Sequence, residues 1–253
     1  MNNCMKPLAL LFAALCAFSC PSCMRATSTA AATSAFPPEY SDLLKTYVAP
    51  EGVRYAAWHA NKADVGRLKK VTEFFASSAP PADRKAALAW HLNAYNAWIL
   101  NNILARYPIA GPMDGGEGFF DRPDIVISGK KTSFNGLEQK GIRPTFQDAR
   151  VHFALNCASR SCPPLLGKPF DPATLDEDLD QLTRAFINTN PMGVVLEPGG
   201  RRVRLSKIFD WYADDFGGKG SGVAFVNRYR ETAVPSEAQM EFLDYNWGLN
   251  ETP

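Results

Sequence analysis

An α+β fold, with helices around a buried central helix packed on a small, mainly antiparallel sheet, is what this sequence predicts. Three observations carry that expectation. The segment entered through Pro81-Ala-Asp83 and running to Tyr107 is apolar on nearly all sides at helical spacing. Two stretches, Asp124 to Phe134 and Val194 to Leu205, read as hairpins broken by glycine-containing turns. A composition of 46% hydrophobic side chains in 253 residues is ordinary for a folded domain and long enough to close one substantial core. Lys and Arg total 27 against 26 Asp and Glu, so no basic excess neutralises phosphates, and nucleic acid is not an expected partner.

Taken in order, the chain opens with Lys6 and an apolar run from Pro7 to Phe18, too short to span a bilayer and of signal-peptide length. Export is the expectation. Ala17-Phe-Ser-Cys20 has the form of a lipoprotein signal box, favouring lipidation of Cys20, whereas Ser28-Thr-Ala30 would suit an ordinary signal peptidase. The Ser/Thr/Ala-rich tract from Ala26 to Ala35 reads as a flexible tether. Residues 1–30 are thus expected to hold the signal peptide and the start of the tether, 31–37 the rest of the tether, and 38–253 a single domain with an N-terminal helical extension. That extension is Tyr40 to His59 and Ala63 to Ala76, broken by Ala49-Pro-Glu-Gly52 and stopped by Ser77-Ser-Ala-Pro-Pro81.

The long segment follows. Leu88, Leu92, Tyr95, Ile99 and Ile103 form one stripe, while Trp90, Ala97, Leu100 and Leu104 cover most of the opposite side. Asn93 and Asn96 lie on it about 60° apart. Asn is a poor helix-interior residue, and a buried carboxamide needs partners, so these two brace backbone elsewhere or line a polar pocket. Met113-Asp-Gly-Gly-Glu-Gly118 is a glycine-rich loop with no strand before it and no helix after it, which argues against a phosphate loop and leaves a lid as an alternative. Ser133-Phe-Asn-Gly-Leu-Glu138 begins a short helix. Arg150 to Leu155 alternates like a strand, with His152, Ala154 and Asn156 facing one way. Asp171 to Thr189, Ser206 to Phe216 and Gly222 to Tyr229 read as helices.

Several stretches together resemble the DUF547 family, a domain of unknown function found in bacterial exported proteins and in plant and animal proteins. They are Trp90-His-Leu-Asn-Ala-Tyr-Asn96, Phe134-Asn-Gly-Leu-Glu138, Arg150-Val-His-Phe-Ala-Leu-Asn-Cys-Ala-Ser-Arg-Ser-Cys-Pro-Pro164, Leu205-Ser-Lys-Ile-Phe-Asp-Trp-Tyr-Ala-Asp-Asp-Phe216 and Tyr245-Asn-Trp-Gly-Leu-Asn250. The order matches the family's. One position departs from it, since Gln139 stands where the family commonly has His. The resemblance implies no established reaction.

Four of the six cysteines (Cys4, Cys16, Cys20, Cys23) lie in the export region, which leaves Cys157 and Cys162 for the domain. Three chemistries compete there. Cys157 is a nucleophile with His152 as base, and with Glu138, Asn93 or Asn96 orienting the base or polarising a carbonyl. Alternatively, Cys157 and Cys162 form a disulfide that pins the intervening loop. A metal held by His152 with Cys157, Cys162 or Glu138 comes last, because paired histidine spacing and Cys-x-x-Cys are both missing; neither metal nor other cofactor is expected. Tyr95 and Cys162 complete the expected pocket with Asn93 and Asn96. Asp210 and Asp214, four apart, are a weaker candidate for a carboxylate pair. The expected partner is a small molecule or an envelope protein, with the membrane reached through the lipid anchor. Two functions stand: a non-catalytic binding or scaffold role first, and an envelope thiol hydrolase or acyl transferase using Cys157 and His152 second.

Overall fold

The computed structural model describes residues 35–115 and 118–253; the expected export signal, Cys20, most of the expected tether and residues 116–117 of the glycine-rich loop lie outside them. From residue 35 onward the chain forms a mixed α+β unit. It begins with α1 (Pro38–Tyr47), a two-residue hairpin of β1 (Val48–Ala49) and β2 (Gly52–Val53), α2 (Tyr55–Ala60) and α3 (Lys62–Ser77). Asn61 caps α3, its Oδ1 accepting from the Asp64 amide at 3.2 Å.

The long apolar segment is α4 (Arg84–Arg106). Asp83 caps it by accepting from the Ala86 amide at 2.9 Å, and Pro108 ends it by forcing Tyr107 into extended backbone. The residues of both apolar stripes are buried, whereas His91 and Trp98 are partly exposed. Asn93 is a clamp. It accepts from the Phe170 amide at 2.8 Å and donates to the Phe170 carbonyl at 2.9 Å and to that of Ala35 at 3.3 Å. Ala35, within the expected tether, is therefore packed and buried. Asn96 is a second clamp, donating to the Ala154 carbonyl and accepting from the Asn156 amide, each at 2.9 Å.

The strands do not make one sheet. The hairpin of β3 (Ile125–Ile127) and β4 (Lys130–Thr132) stands apart from β5 (Val194–Leu196), β6 (Arg202–Leu205) and β7 (Gln239–Phe242). In that last group β5 pairs antiparallel with β6, but β6 pairs parallel with β7, because β7 arrives after a long helical excursion instead of a tight turn. The expectation of a single, mainly antiparallel sheet is corrected accordingly.

Between the hairpins run α5 (Phe134–Gly136), a π-helical stretch from Leu137 to Ile142, and α6 (Arg143–Phe146). Ser133 starts this segment by accepting from the Gly136 amide at 2.9 Å. The stretch Arg150 to Leu155 is no strand. Asp148 accepts from the Arg150 amide at 3.0 Å and opens a 3₁₀ turn, Ala149–Phe153. Arg150 ties this turn to α7 (Leu175–Asn188) through Asp176 and Asp180, at 3.1 and 2.8 Å. The turn bridges two apolar clusters: Val151 belongs to the one built around α4, and Phe153 to the one formed by α7, β5, β6 and the helices that follow.

The expected helix from Ser206 to Phe216 is interrupted at Tyr212. It divides into α8 (Ile208–Trp211) and a 3₁₀ turn, Ala213–Phe216, before α9 (Gly222–Asn227). The break takes Asp210 and Asp214 off a common helix, and Asp210 pairs with Lys207 at 3.3 Å, so the carboxylate pair is not formed. Residues 246–252 run as a strap across the fold. Its backbone bonds Val53, Ala110, Ala158 and Arg160, and glycine at 52 and 111 lets it approach, since a Cβ there would collide with the carbonyls of Asn250 and Trp247.

Candidate functional site

A cleft of about 110 Å³ opens where the two apolar clusters meet. Tyr95 from α4, Glu138 from the π-helical stretch, His152 from the 3₁₀ turn, and Cys157 and Cys162 from the loop after it all line the cleft. Phe120, Asn135, Leu155, Ile208, Trp211, Tyr212, Tyr245 and Trp247 complete the lining. Asn93 and Asn96 do not reach it. They act one layer behind, and Asn96 holds the backbone of Ala154 and Asn156 from which the cysteine loop departs.

Cys157 and Cys162 are both free thiols, so the expected disulfide is absent. Other interactions hold the loop. Asn156 Oδ1 accepts from the Ala158 amide at 2.9 Å, and Ala158 adopts φ +64°, a left-handed conformation that costs a residue with a Cβ about 1 kcal/mol or more. Arg160 N donates to the Gly248 carbonyl, Ser161 N to that of Asn246, and Asn246 N to Ser161 Oγ at 2.8 Å. The Cys157 amide donates to Cys162 Sγ at 2.9 Å.

The Cys157 sulfur is half-buried among hydroxyls, 3.1 Å from Ser159 Oγ and 3.2 Å from the Tyr245 hydroxyl. Ser159 Oγ and the Tyr245 hydroxyl are themselves 3.0 Å apart, so the two hydroxyls and the sulfur form one hydrogen-bonded triangle. Burial pushes the Cys157 thiol up. Donation from Cys162, Ser159 and Tyr245 outweighs that and brings it down to about 7. Cys162 moves the other way: it is buried beside Cys157 and held as a neutral thiol. Tyr245, pushed up by burial and then by the two sulfurs, keeps its proton.

A second polar group centres on His152. Its Nε2 lies 2.7 Å from Asp215 Oδ2 and its Nδ1 lies 3.9 Å from Glu138 Oε1, beyond hydrogen-bond reach. The carboxylate thus fixes a proton on Nε2 and leaves Nδ1 without a hydrogen-bond partner among the described residues, open to give or take a proton. Tyr212 stacks on the imidazole with ring centroids 4.0 Å apart. Asp215 also receives Arg143 Nε at 2.6 Å, and hydrogen bonding from His152 followed by that from Arg143 holds its carboxyl well below the usual range. Glu138 is raised by burial, against the opposing influence of His152 and Tyr212. The π-helical turn that carries Glu138 is a rare conformation, met most often beside functional residues. No hydrogen bond joins His152 to Cys157.

Trp211 and Trp247, readable from the sequence as core or pocket wall, line the cleft together with Tyr245. Trp211, Tyr245 and Trp247 pack on one another with centroids 4.6 to 5.8 Å apart, and Trp211 stays 47% exposed. Asp215, noted only within an acidic run, proves to be the partner of His152. Among the described residues no group of three or more His, Cys, Asp or Glu side chains is placed to hold a metal, and no helix is long and apolar enough to cross a membrane.

Neither the curated proteins nor the solved structures include a match to this chain. Glu138, His152, Cys157 and Cys162 fall within residues 81–187, and that stretch matches the family DUF547, described as a protein of unknown function, so the chain carries a DUF547 domain there.

Proposed function

We propose that the domain uses Cys157 as a nucleophile towards small acyl compounds, as a thiol hydrolase or acyl transferase. The carrying observation is the Cys157 sulfur itself: unbridged, open to a cleft, and surrounded by hydroxyl donors that favour its thiolate. A thiolate already formed needs no base, which accounts for the lack of a direct bond from His152. His152 serves instead at the leaving group and the attacking water, in the manner of a histidine whose far nitrogen is held by a carboxylate. In the first step Cys157 Sγ adds to the acyl carbonyl, the bond to the leaving group breaks, and that group departs with a proton from protonated Nδ1. In the second, water attacks the thioester while Nδ1 takes its proton, releasing the acid and the Cys157 thiolate. Glu138, in the same cleft and 3.9 Å from Nδ1, orients the imidazole electrostatically.

The test is acylation of the full chain by an activated ester or thioester of a short acid. An acyl adduct on the tryptic peptide Val151–Arg160, lost in Cys157→Ala and accumulating in His152→Ala, is the expected result. Equal turnover by Cys157→Ala, or no adduct on Cys157, rejects the reading.

We further propose that the protein is exported and tethered by a lipid on Cys20, on the strength of Lys6, the apolar run to Phe18 and Ala17-Phe-Ser-Cys20. Mass spectrometry of the membrane fraction should find an acylated Cys20 terminus. A soluble product starting near Ala31 removes the anchor and leaves export standing.

A further inference from the structure

Acyl chemistry uses Cys162 only to support the Cys157 thiolate, yet the fold delivers this second thiol beside the first. Cys162 Sγ accepts the Cys157 backbone N–H at 2.9 Å, and both residues line the same cleft. The four residues between them are fixed by the strap, through Arg160 to Gly248 and Ser161 to Asn246, so the pairing of the two cysteines is built into the loop. The Cys162 sulfur also lies 3.7 Å from the Leu155 carbonyl, a weak bond that is easily given up.

We propose that Cys157 and Cys162 form a two-cysteine couple that reduces hydroperoxides, with Cys157 attacking the peroxide and Cys162 resolving the product. The inference rests on the reading of Cys157 as a reactive thiolate and not on acyl transfer. Cys157 Sγ attacks the outer oxygen of the hydroperoxide, the O–O bond breaks, and the leaving alkoxide is protonated to the alcohol, leaving a sulfenic acid on Cys157. The Tyr245 hydroxyl, 3.2 Å from the sulfur, is placed to donate to that alkoxide. Cys162 then attacks the Cys157 sulfur, the S–O bond breaks, and hydroxide leaves as water with the Cys162 proton. The two thiols have supplied two electrons. A small dithiol reductant returns both cysteines to the state seen here. A cleft of about 110 Å³ suits hydrogen peroxide or a short organic hydroperoxide.

Trypsin cuts at Arg160, between the two cysteines, so a bridge is directly readable. The reduced full chain is treated with equimolar hydrogen peroxide, quenched with iodoacetamide and digested. The expected product joins peptide Val151–Arg160 to the peptide beginning at Ser161. In Cys162→Ser, dimedone should capture a sulfenic acid on Cys157, and in Cys157→Ser the Cys162 thiol should remain open to alkylation after denaturation. The wild-type cross-link is the primary readout, and it needs no variant to fold. Peroxide that leaves both thiols alkylatable, or that drives Cys157 to sulfinic acid without a cross-link, overturns the couple. If Cys157 of the reduced chain alkylates readily at neutral pH while no bridge forms, this inference fails and the nucleophile stands. A bridge without any acyl adduct keeps this inference and the reactive Cys157, and removes acyl transfer.

Discussion

Replacing Tyr245 by Phe separates the ionisation of Cys157 from its accessibility. The substitution deletes the hydroxyl 3.2 Å from Sγ and keeps the ring, which packs on Trp211 and Trp247 at 4.7 and 4.6 Å between centroids. A hydrogen bond to a charged acceptor contributes about 1.5 to 3 kcal/mol. Ser159 and Cys162 remain beside the sulfur and take over part of this, so the expected rise is about one pKa unit, or about 1.4 kcal/mol. From a starting value of about 7, the thiolate fraction at neutral pH falls from about one half to about one tenth. A more basic thiolate is also about threefold more nucleophilic per unit. The two effects oppose each other: the alkylation rate at neutral pH drops only about twofold, while the plateau at high pH rises about threefold. The midpoint is therefore the decisive quantity. Iodoacetamide labelling across about pH 5 to 10, read by mass spectrometry on peptide Val151–Arg160, supplies it free of the cysteines near the N-terminus. A wild-type midpoint at the ordinary thiol value, or a Tyr245→Phe profile that superimposes on it, would refute the account of how this thiolate is made.

Four further outcomes are expected. Asp215→Asn should slow acyl turnover by about 100-fold or more by releasing the His152 tautomer; because the Asp215 carboxyl is lowered in the fold, its stabilisation is present above the ordinary carboxylate value and lost on acidification, so urea melts of the variant should show a flatter acid limb. Glu138 carries the opposite sign: its raised value means stability falls as pH climbs from the ordinary carboxylate range through that value, and thermal melts of Glu138→Gln should lack this fall. Asn93→Ala orphans the buried amide and carbonyl of Phe170, and at about 1 to 3 kcal/mol for each group should lower stability by about 2 to 6 kcal/mol in urea denaturation. Gly111→Ala drives a Cβ against the Trp247 carbonyl and should raise hydrogen exchange at the Leu249 amide, which bonds Ala110 at 2.7 Å.

The helix α4 was readable because its limits are local: Asp83 caps it and Pro108 ends it. The same holds for the hairpin from Val194 to Leu205, whose turn contains Pro-Gly-Gly. Arg150 to Leu155 misled because alternation of polar and apolar residues cannot distinguish a strand from a 3₁₀ turn that sends Val151 and Phe153 into different clusters. The deciding contacts, from Arg150 to Asp176 and Asp180, lie far along the chain. Of the candidate site, Glu138, His152, Cys157, Cys162 and Tyr95 could be named from motif residues. Tyr212, Tyr245 and Trp247 also stand in the family-like stretches, but nothing local assigned Tyr212 or Tyr245 to the cleft. Their role comes from tertiary placement, with Tyr245 meeting Cys157 across 88 positions of sequence, and no local pattern carries that information.

The strap from 246 to 252 gives the reactive loop a timetable. Its contacts join positions as much as 195 residues apart, as when Asn250 meets Tyr55, and contacts of such separation close late because the chain entropy they remove is large. Tyr245, immediately before the strap, arrives with it. A nascent or partly unfolded chain therefore holds Cys157 as an ordinary thiol, mostly protonated and slow, through synthesis and any handling that precedes completion of the fold. The chemistry proposed for Cys157 depends on the strap being closed over the loop. The reactivity of one sulfur thus reports whether the whole domain has reached its native state.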